Sequence, residues 1–437
     1  MKTFYVRTYG CQMNELDTEV MAGILTGRGL TQVEEEENAD LLLFNTCSIR
    51  DLAERKVMGK LGKLGRGKKK SVIGVTGCMA NAKKETLFRK LPHIDFVLGT
   101  NNIHDLDFVL DEVMRGNQQI LRTDDTFTQE LDYTVAKRMD KHKAYVSIIR
   151  GCDKYCTYCV VPYTRGPEVS RAPEQIIEEC RKLIDQGFKE ITLLGQNVNS
   201  YGKDKPEISM LFHDLLYELD KINGLNRIRF LTSHPVDITR ELMESIRDLD
   251  ALCEHVHFPL QAGSSRILKK MHRMYTKEQY FEKVALLREI CPEVVLGTDM
   301  IVGFPTETEE EFIETMEAMR EIRYSNAFLY TYSPRKGTPA KRWVDDVPEE
   351  VKNERHQRLL ALHQEVSSAL MQEKLGEEVE ILVERRNKDD RYLKGVTRCW
   401  RNVIFEGDDS LIGTIQKVKL HSCNHSTFIG ELYSRLN

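Results

Sequence analysis

A chain of 437 residues exceeds the size at which one hydrophobic core stops growing, so two or three domains are expected. Its 41% hydrophobic and 30% charged content is that of an ordinary globular protein and excludes a largely disordered chain. A net charge of −5 excludes a protein that coats nucleic acid through overall basicity, so any RNA contact has to come from local patches.

The N-terminus, Met1 to Gly10, carries no apolar signal segment, and no later stretch approaches the roughly 18 apolar residues of a membrane span. A cytoplasmic protein with no membrane partner is expected. In that reducing compartment the eleven cysteines are metal ligands or reactive thiols before they are disulfides. Three apolar, β-rich runs come first: Phe4 to Thr8, Leu41 to Phe44 and Val72 to Val75. Each is followed by a cysteine (Cys11, Cys47 and Cys78) and then by helical spacing, a repeat close to the roughly 30 residues of one strand-crossover-strand unit. An open parallel sheet places all its strand C-termini on one edge, so three cysteines far apart in sequence should converge there. Lys60 to Lys70 (KLGKLGRGKKK) is a candidate nucleic-acid patch and equally a solvated helix end.

Leu110 to Lys143 is polar and suits a linker. Six strand candidates follow: Tyr145 to Ile149, Ile191 to Leu194, Ile228 to Leu231, His255 to Phe258, Val294 to Gly297 and Ala327 to Thr331. Helical patterns separate them, which predicts a barrel or most of one. Pro348 to Leu375 reads as one long helix with Leu359, Leu360, Leu362 and Val366 on one face. After Gly376 five short alternating runs predict a small β-barrel, a fold often used on nucleic acids.

The strongest motif is Cys152-Asp153-Lys154-Tyr155-Cys156-Thr157-Tyr158-Cys159, a CxxxCxxC run directly after the first barrel strand. A four-iron cubane needs four ligands, and three thiolates leave one iron open. That iron can chelate S-adenosylmethionine and pass an electron to its sulfonium, releasing a 5′-deoxyadenosyl radical. The competing reading is a zinc loop, but zinc wants a fourth nearby ligand and tetrahedral closure. Parallel barrels also keep their active sites at the strand C-termini, where this loop lies.

The chain resembles the MiaB-type methylthiotransferase family over essentially its whole length. The resemblance is carried by Tyr9-Gly10-Cys11-Gln12-Met13-Asn14, Asn45-Thr46-Cys47-Ser48-Ile49-Arg50, Gly77-Cys78-Met79-Ala80, the CxxxCxxC run, Gly195-Gln196-Asn197-Val198-Asn199-Ser200-Tyr201 and Gly303-Phe304-Pro305. It implies an α/β protein with an N-terminal open parallel α/β sheet (1–117), a central radical S-adenosylmethionine partial (βα)6 barrel (138–370) and a small C-terminal all-β TRAM barrel that binds RNA (371–437). It implies two [4Fe-4S] clusters: an auxiliary one on Cys11, Cys47 and Cys78, whose open iron carries or accepts the sulfur to be inserted, and the radical cluster on Cys152, Cys156 and Cys159. Two molecules of S-adenosylmethionine are then consumed, one as methyl donor and one as radical source. A tRNA anticodon stem-loop, a reducing electron donor and a sulfur donor are the implied partners, and no catalytic residue beyond the cluster ligands is assigned.

Gln196 and Asn197, at a strand end, either hydrogen-bond S-adenosylmethionine or cap the next loop; Ser233 has the same standing, and Tyr158 is placed to sit beside the adenine. The family usually has serine at Ala262 and glycine at Thr306, so the loop after Pro305 is expected to differ in backbone shape. Cys180, Cys253, Cys291, Cys399 and Cys423 stand alone and read as small buried packing residues, and His234, His255 and His257 as structural. Arg385-Arg386-Asn387-Lys388 and Arg398, Trp400 and Arg401 combine cations with an aromatic surface, the composition of a single-stranded RNA contact, although this region as a whole carries no net charge. The sequence most resembles the members that add a methylthio group to C2 of N6-isopentenyladenosine beside the anticodon. Threonylcarbamoyladenosine in tRNA and an aspartate of a ribosomal protein are the alternatives within the family. A non-catalytic iron-sulfur or RNA-binding protein is the alternative outside it.

Overall fold

The computed structural model describes residues 1–48, 51–65, 71–123, 132–424 and 426–433. The three cysteine-tailed runs are strands Thr3–Thr8, Leu41–Thr46 and Val72–Gly77 of a six-stranded, all-parallel sheet. Leu41–Thr46 is buried along its whole length, as expected of a parallel strand covered on both faces. The sheet is completed by the short strands Thr31–Gln32, Phe96–Leu98 and Ile120–Arg122. The last of these falls in the stretch expected to be linker. The chain beyond it is also tied down: Tyr133 is buried in the core beside the helix Gln12–Gly27, and Arg138 joins Glu19 at 2.9 Å to Glu179 at 2.7 Å. Asp124-Asp125-Thr126 of the expected linker lie outside the described residues.

The second unit has its six strands in chain order: Lys143–Ser147, Glu190–Leu194, Arg227–Phe230, His255–His257, Val295–Val302 and Asn326–Thr331. The first three pair in parallel, as do the last three, and a bridge from Ile228 to Leu252 joins the halves into an open barrel. Residues of one parity, such as Val146, Leu193, Phe230, Val256 and Met300, pack against the surrounding helices. The alternate residues face inward, since successive strand side chains point to opposite faces. Among these, Tyr145, Leu194 and Leu231 pack into the core of the N-terminal unit, so that unit closes the open side of the barrel.

The helix Glu349–Glu373 buries Leu359 and Leu362, the face expected of it. It leads to a closed five-stranded barrel in the order Glu378–Arg386, Tyr392–Thr397, Asn402–Glu406, Thr427–Leu432, Ile415–Cys423. This small barrel seats on the strand N-termini of the large one. Arg227, wholly buried, donates to Glu380 at 3.0 Å and to the Val396 carbonyl at 2.8 Å, while Arg229 joins Glu190 at 3.0 Å to the Thr397 carbonyl at 2.8 Å. Trp400 lies over the Arg229 guanidinium and against the His255 ring. Among the described residues no helix is long and apolar enough to cross a membrane.

This seat is sensitive to acid. Burial, with Arg229, His257 and Arg401 adding positive charge nearby, pushes His255 from its ordinary 6.5 down to about 3. The fold therefore holds the neutral ring, and the stability it contributes is complete above about pH 6.5 and lost as pH falls towards 3. Thermal midpoints measured from about pH 7 down to 4 should fall less steeply in His255→Gln than in the wild type. Parallel curves would show that His255 does not govern the acid limb.

Candidate functional site

The sheet register brings the first three cysteines to one edge. Thr8 pairs with Asn45 and Thr46 with Gly77, so Cys11, Cys47 and Cys78 lie just past adjacent strand ends. Backbones approach closely here, because a side chain at Gly77 would strike the Thr46 carbonyl oxygen and one at Gly10 would come within 2.9 Å of the Cys47 Cβ. Both glycines have positive φ, a conformation that side chains rarely tolerate. Asn45 stitches the edge together by donating to the Asn14 carbonyl at 2.7 Å, and Asn14 returns a bond to Asn45 Oδ1 at 3.0 Å. Ile49 and Arg50 of the Cys47 motif lie outside the described residues.

The CxxxCxxC loop follows the barrel strand Lys143–Ser147 and lies at its C-terminal side. Burial, reinforced by Cys156, pushes Cys159 up to about 12, and burial also raises Cys152. Cys78 is raised by burial and drawn back by Arg165. Such thiols stay neutral until a cation takes them as thiolates. Asn81, on the helix that begins at Cys78, donates to the Thr164 carbonyl just beyond the CxxxCxxC loop at 2.6 Å, and Cys159 and Cys78 lie in electrostatic reach.

Arg165, six residues beyond Cys159, reaches the side of the first trio. It is buried, its guanidinium 2.7 Å from the buried carboxylate of Asp17. Burial alone would weaken its charge, but Asp17 holds it firmly protonated, and Cys78 and Cys11 add to this once they are thiolates. A second buried guanidinium, Arg273, lies 3.4 Å from the Cys156 sulfur and also donates to Tyr275 and the Pro259 carbonyl. Sequence gave no notice of either arginine, since each is a lone cation whose partners are remote in the chain.

Among the described residues no three His, Cys, Asp or Glu converge tightly enough for a single metal ion. A four-iron cluster takes each thiolate on a separate iron, and an all-thiol trio beside a buried guanidinium fits such a sulfur-rich, anionic group.

Gln196, Asn197 and Ser233 all lie at the strand C-terminal edge. Gln196 Oε1 accepts the Gly151 N–H at 2.6 Å and so shapes the turn before Cys152, and Ser233 donates to the His257 carbonyl. Asn197 donates to Glu168 at 3.1 Å and Asp237 at 2.9 Å, while its buried Oδ1 has no partner among the described residues. Lys154 and Lys203 also grip Asp237, at 2.8 and 3.0 Å. Tyr158 meets Phe304 edge to face, ring centres 6.4 Å apart.

Thr306 adopts φ +72°, the conformation that glycine would take at this position. The expected change of backbone shape is therefore not taken as a retreat to negative φ. The side chain accepts bonds from Arg266 at 3.1 Å and Lys270 at 2.6 Å, and the Thr306 N–H reaches Asp346 at 2.7 Å. These contacts offset a left-handed cost of roughly 1–2 kcal/mol.

Of the expected RNA patches, Arg398, Trp400 and Arg401 face inward. Arg398 grips Glu254 at 2.9 Å and the Leu252 carbonyl at 2.7 Å, and Arg401 is buried against Ser325 and Ser367. Local composition could not distinguish a docking seat from an RNA surface. Arg386 is paired with Asp409, leaving Arg385 and Lys388 exposed. Lys60 pairs with Glu36 at 2.8 Å, and residues 66–70 lie outside the described residues. Cys180, Cys253 and Cys291 are buried as expected, whereas Cys399 and Cys423 are partly exposed. His257 bonds Asp299 at 3.1 Å, and His234 Nε2 is buried with no hydrogen-bond partner among the described residues.

Comparison with known proteins adds two family matches, the uncharacterized protein family UPF0004 over residues 3–99 and the radical SAM superfamily over 146–319. A protein of Protochlamydia amoebophila (strain UWE25), named tRNA-2-methylthio-N(6)-dimethylallyladenosine synthase, is 70% identical over 99% of this chain and 96% of its own. One of the same name from Anoxybacillus flavithermus (strain DSM 21510 / WK1) is 46% identical over 99% of this chain and 83% of its own. Among solved structures, the radical S-adenosylmethionine methyltransferase TsrM from Kitasatospora setae superposes with a TM-score of 0.55 at 14% identity. It covers 75% of this chain and 73% of its own, a likeness of fold.

Proposed function

The chain belongs to the tRNA-2-methylthio-N(6)-dimethylallyladenosine synthase family, and from that premise we propose that it adds a methylthio group to C2 of N6-isopentenyladenosine next to the anticodon in tRNA. The observation that carries this reading is the pair of cysteine trios at strand C-terminal ends of two neighbouring α/β units, with the buried Arg165 guanidinium beside the first and Arg273 beside the second.

In this reading Cys152, Cys156 and Cys159 hold the radical [4Fe-4S] cluster, and Cys11, Cys47 and Cys78 hold the auxiliary one. When bound, the clusters supply the electron that cleaves S-adenosylmethionine and the sulfur to be transferred. The chain's own residues do the rest. Gln196 fixes the loop entering Cys152, Asn197 offers its free Oδ1 towards S-adenosylmethionine, and Tyr158 stacks beside the adenine. Arg165 and Arg273 offset the negative charge of the two thiolate sets. The N-terminal unit across the open side of the barrel keeps water from a radical that would otherwise be quenched. A reducing electron donor, a sulfur donor and a cytoplasmic location complete the reading.

The test is mass spectrometry of nucleosides from tRNA lacking the methylthio group, after incubation with anaerobically reconstituted, reduced protein and S-adenosylmethionine. 2-Methylthio-isopentenyladenosine is the expected product. Unchanged tRNA with accumulating 5′-deoxyadenosine would move the substrate to threonylcarbamoyladenosine or the ribosomal protein.

A further inference from the structure

After the last barrel strand the chain runs along the rim of the cysteine edge and touches the radical loop directly. The Ala340 N–H donates to the Thr157 carbonyl at 2.9 Å, between Cys156 and Tyr158, and the Thr157 hydroxyl reaches the Lys270 carbonyl at 2.9 Å. Trp343 follows, 38% exposed, with its ring against Phe304 at 5.8 Å and the Lys270 ammonium 5.6 Å away. Phe304 in turn meets Tyr158, so an aromatic chain leads from solvent to the loop. Val344 beside it is 80% exposed.

The charges on this rim are unevenly satisfied. Asp345 is held by Lys352 at 2.6 Å, and Asp346 receives the Thr306 N–H. Lys336, Lys341 and Arg342 are exposed, and among the described residues none of the three makes an ion pair. On the cysteine loop itself Tyr155 and Tyr163 are 48% and 45% exposed, in edge contact at 6.3 Å. Large aromatics left in water beside uncommitted cations have the composition that single-stranded RNA uses, bases stacking on rings while phosphates pair with the cations.

We propose that the rim segment from Lys336 to Trp343 is the docking surface for a single-stranded RNA loop, with Lys336, Lys341 and Arg342 on its phosphates and Trp343 stacking an unpaired base. The proposal rests on the tRNA reading above and places the RNA contact beside the cysteine loop, away from Trp400. It also explains why an exposed tryptophan is braced by Phe304 and Lys270 rather than turned inward.

The experiment is binding of unmodified tRNA to the reconstituted holoprotein by fluorescence anisotropy across a salt series. Each lost phosphate contact lowers the slope of log K against log salt by about 0.7–0.9. The Lys341→Ala/Arg342→Ala double variant should therefore bind at least about tenfold more weakly and with a slope shallower by roughly 1.4–1.8. Trp343→Ala should weaken binding about tenfold with the slope unchanged, because stacking displaces no counterions. The charge-preserving Lys341→Arg/Arg342→Lys variant should bind like the wild type, which a merely structural role for these positions would not produce. Wild-type affinity and slope in the double alanine variant would overturn the rim assignment while leaving the tRNA reading intact. Failure of the wild type itself to bind tRNA would overturn the tRNA reading and the rim with it.

Discussion

Cys47→Ala should yield no detectable methylthiolated nucleoside and still form 5′-deoxyadenosine at a measurable rate, whereas Cys156→Ala should form neither. Cys47 is buried between Gly10 and the strand end at Gly77, and it belongs to the N-terminal sheet, while Cys156 belongs to the barrel loop. Removing a thiolate from one trio leaves the other with its full donor set. Iron analysis should show each variant short of one four-iron complement. Serine would be a poor replacement in either place, since a hydroxyl is a harder and far less acidic ligand than a thiol. Full methylthiolation by Cys47→Ala would remove the auxiliary-ligand assignment, and loss of 5′-deoxyadenosine would show that the trios are not independent.

The second large effect is expected where the small barrel is seated. Arg227→Ala should leave Glu190 and Glu380 facing one another across a buried seat with half their positive charge gone. Breaking a fully buried pair by removing one partner costs roughly 3–5 kcal/mol; less is expected here, because Glu380 is about one-third exposed and Glu190 keeps Arg229. The seat also loses the bond from Arg227 to the Val396 carbonyl. Limited proteolysis should then release the C-terminal barrel under conditions in which the wild type stays whole, with a lowered first transition in thermal unfolding. A variant as resistant as the wild type would mean that apolar contacts alone hold the seat. Arg227→Met with Glu380→Gln should recover part of the loss, since Glu190 keeps its pair with Arg229 and no charge is then left unpaired.

The elements that were legible in sequence share a physical property: they are apolar runs long enough for their period to repeat. Phe4 to Thr8, Leu41 to Phe44 and five of the six barrel strands qualify, while the three-residue His255–His257 was legible only within the longer run His255 to Phe258. Thr31–Gln32, Phe96–Leu98 and Ile120–Arg122 were not read because two or three residues carry no period. The convergence of Cys11, Cys47 and Cys78 followed from the parallel arrangement, because a parallel sheet fixes where its strands end relative to one another. Arg165 and Arg273 were illegible for the opposite reason: Asp17 and Pro259 are their partners only after the chain has folded. Arg398, Trp400 and Arg401 were legible but misread. Cations beside an aromatic ring can brace one domain on another as readily as they can bind a nucleic acid, and only the direction of the side chains separates the two.

The seat of the small barrel has a kinetic corollary. With Trp400 set into the strand N-terminal end and the N-terminal unit across the open side, the barrel works as a blind alley. Whatever comes in over the cysteine edge has to back out over it. S-adenosylmethionine, the nucleotide and their products then queue for one doorway. On such a plan turnover is expected to be slowed by departure, with 5′-deoxyadenosine and methionine competing against the next arrivals, which product-inhibition kinetics would check.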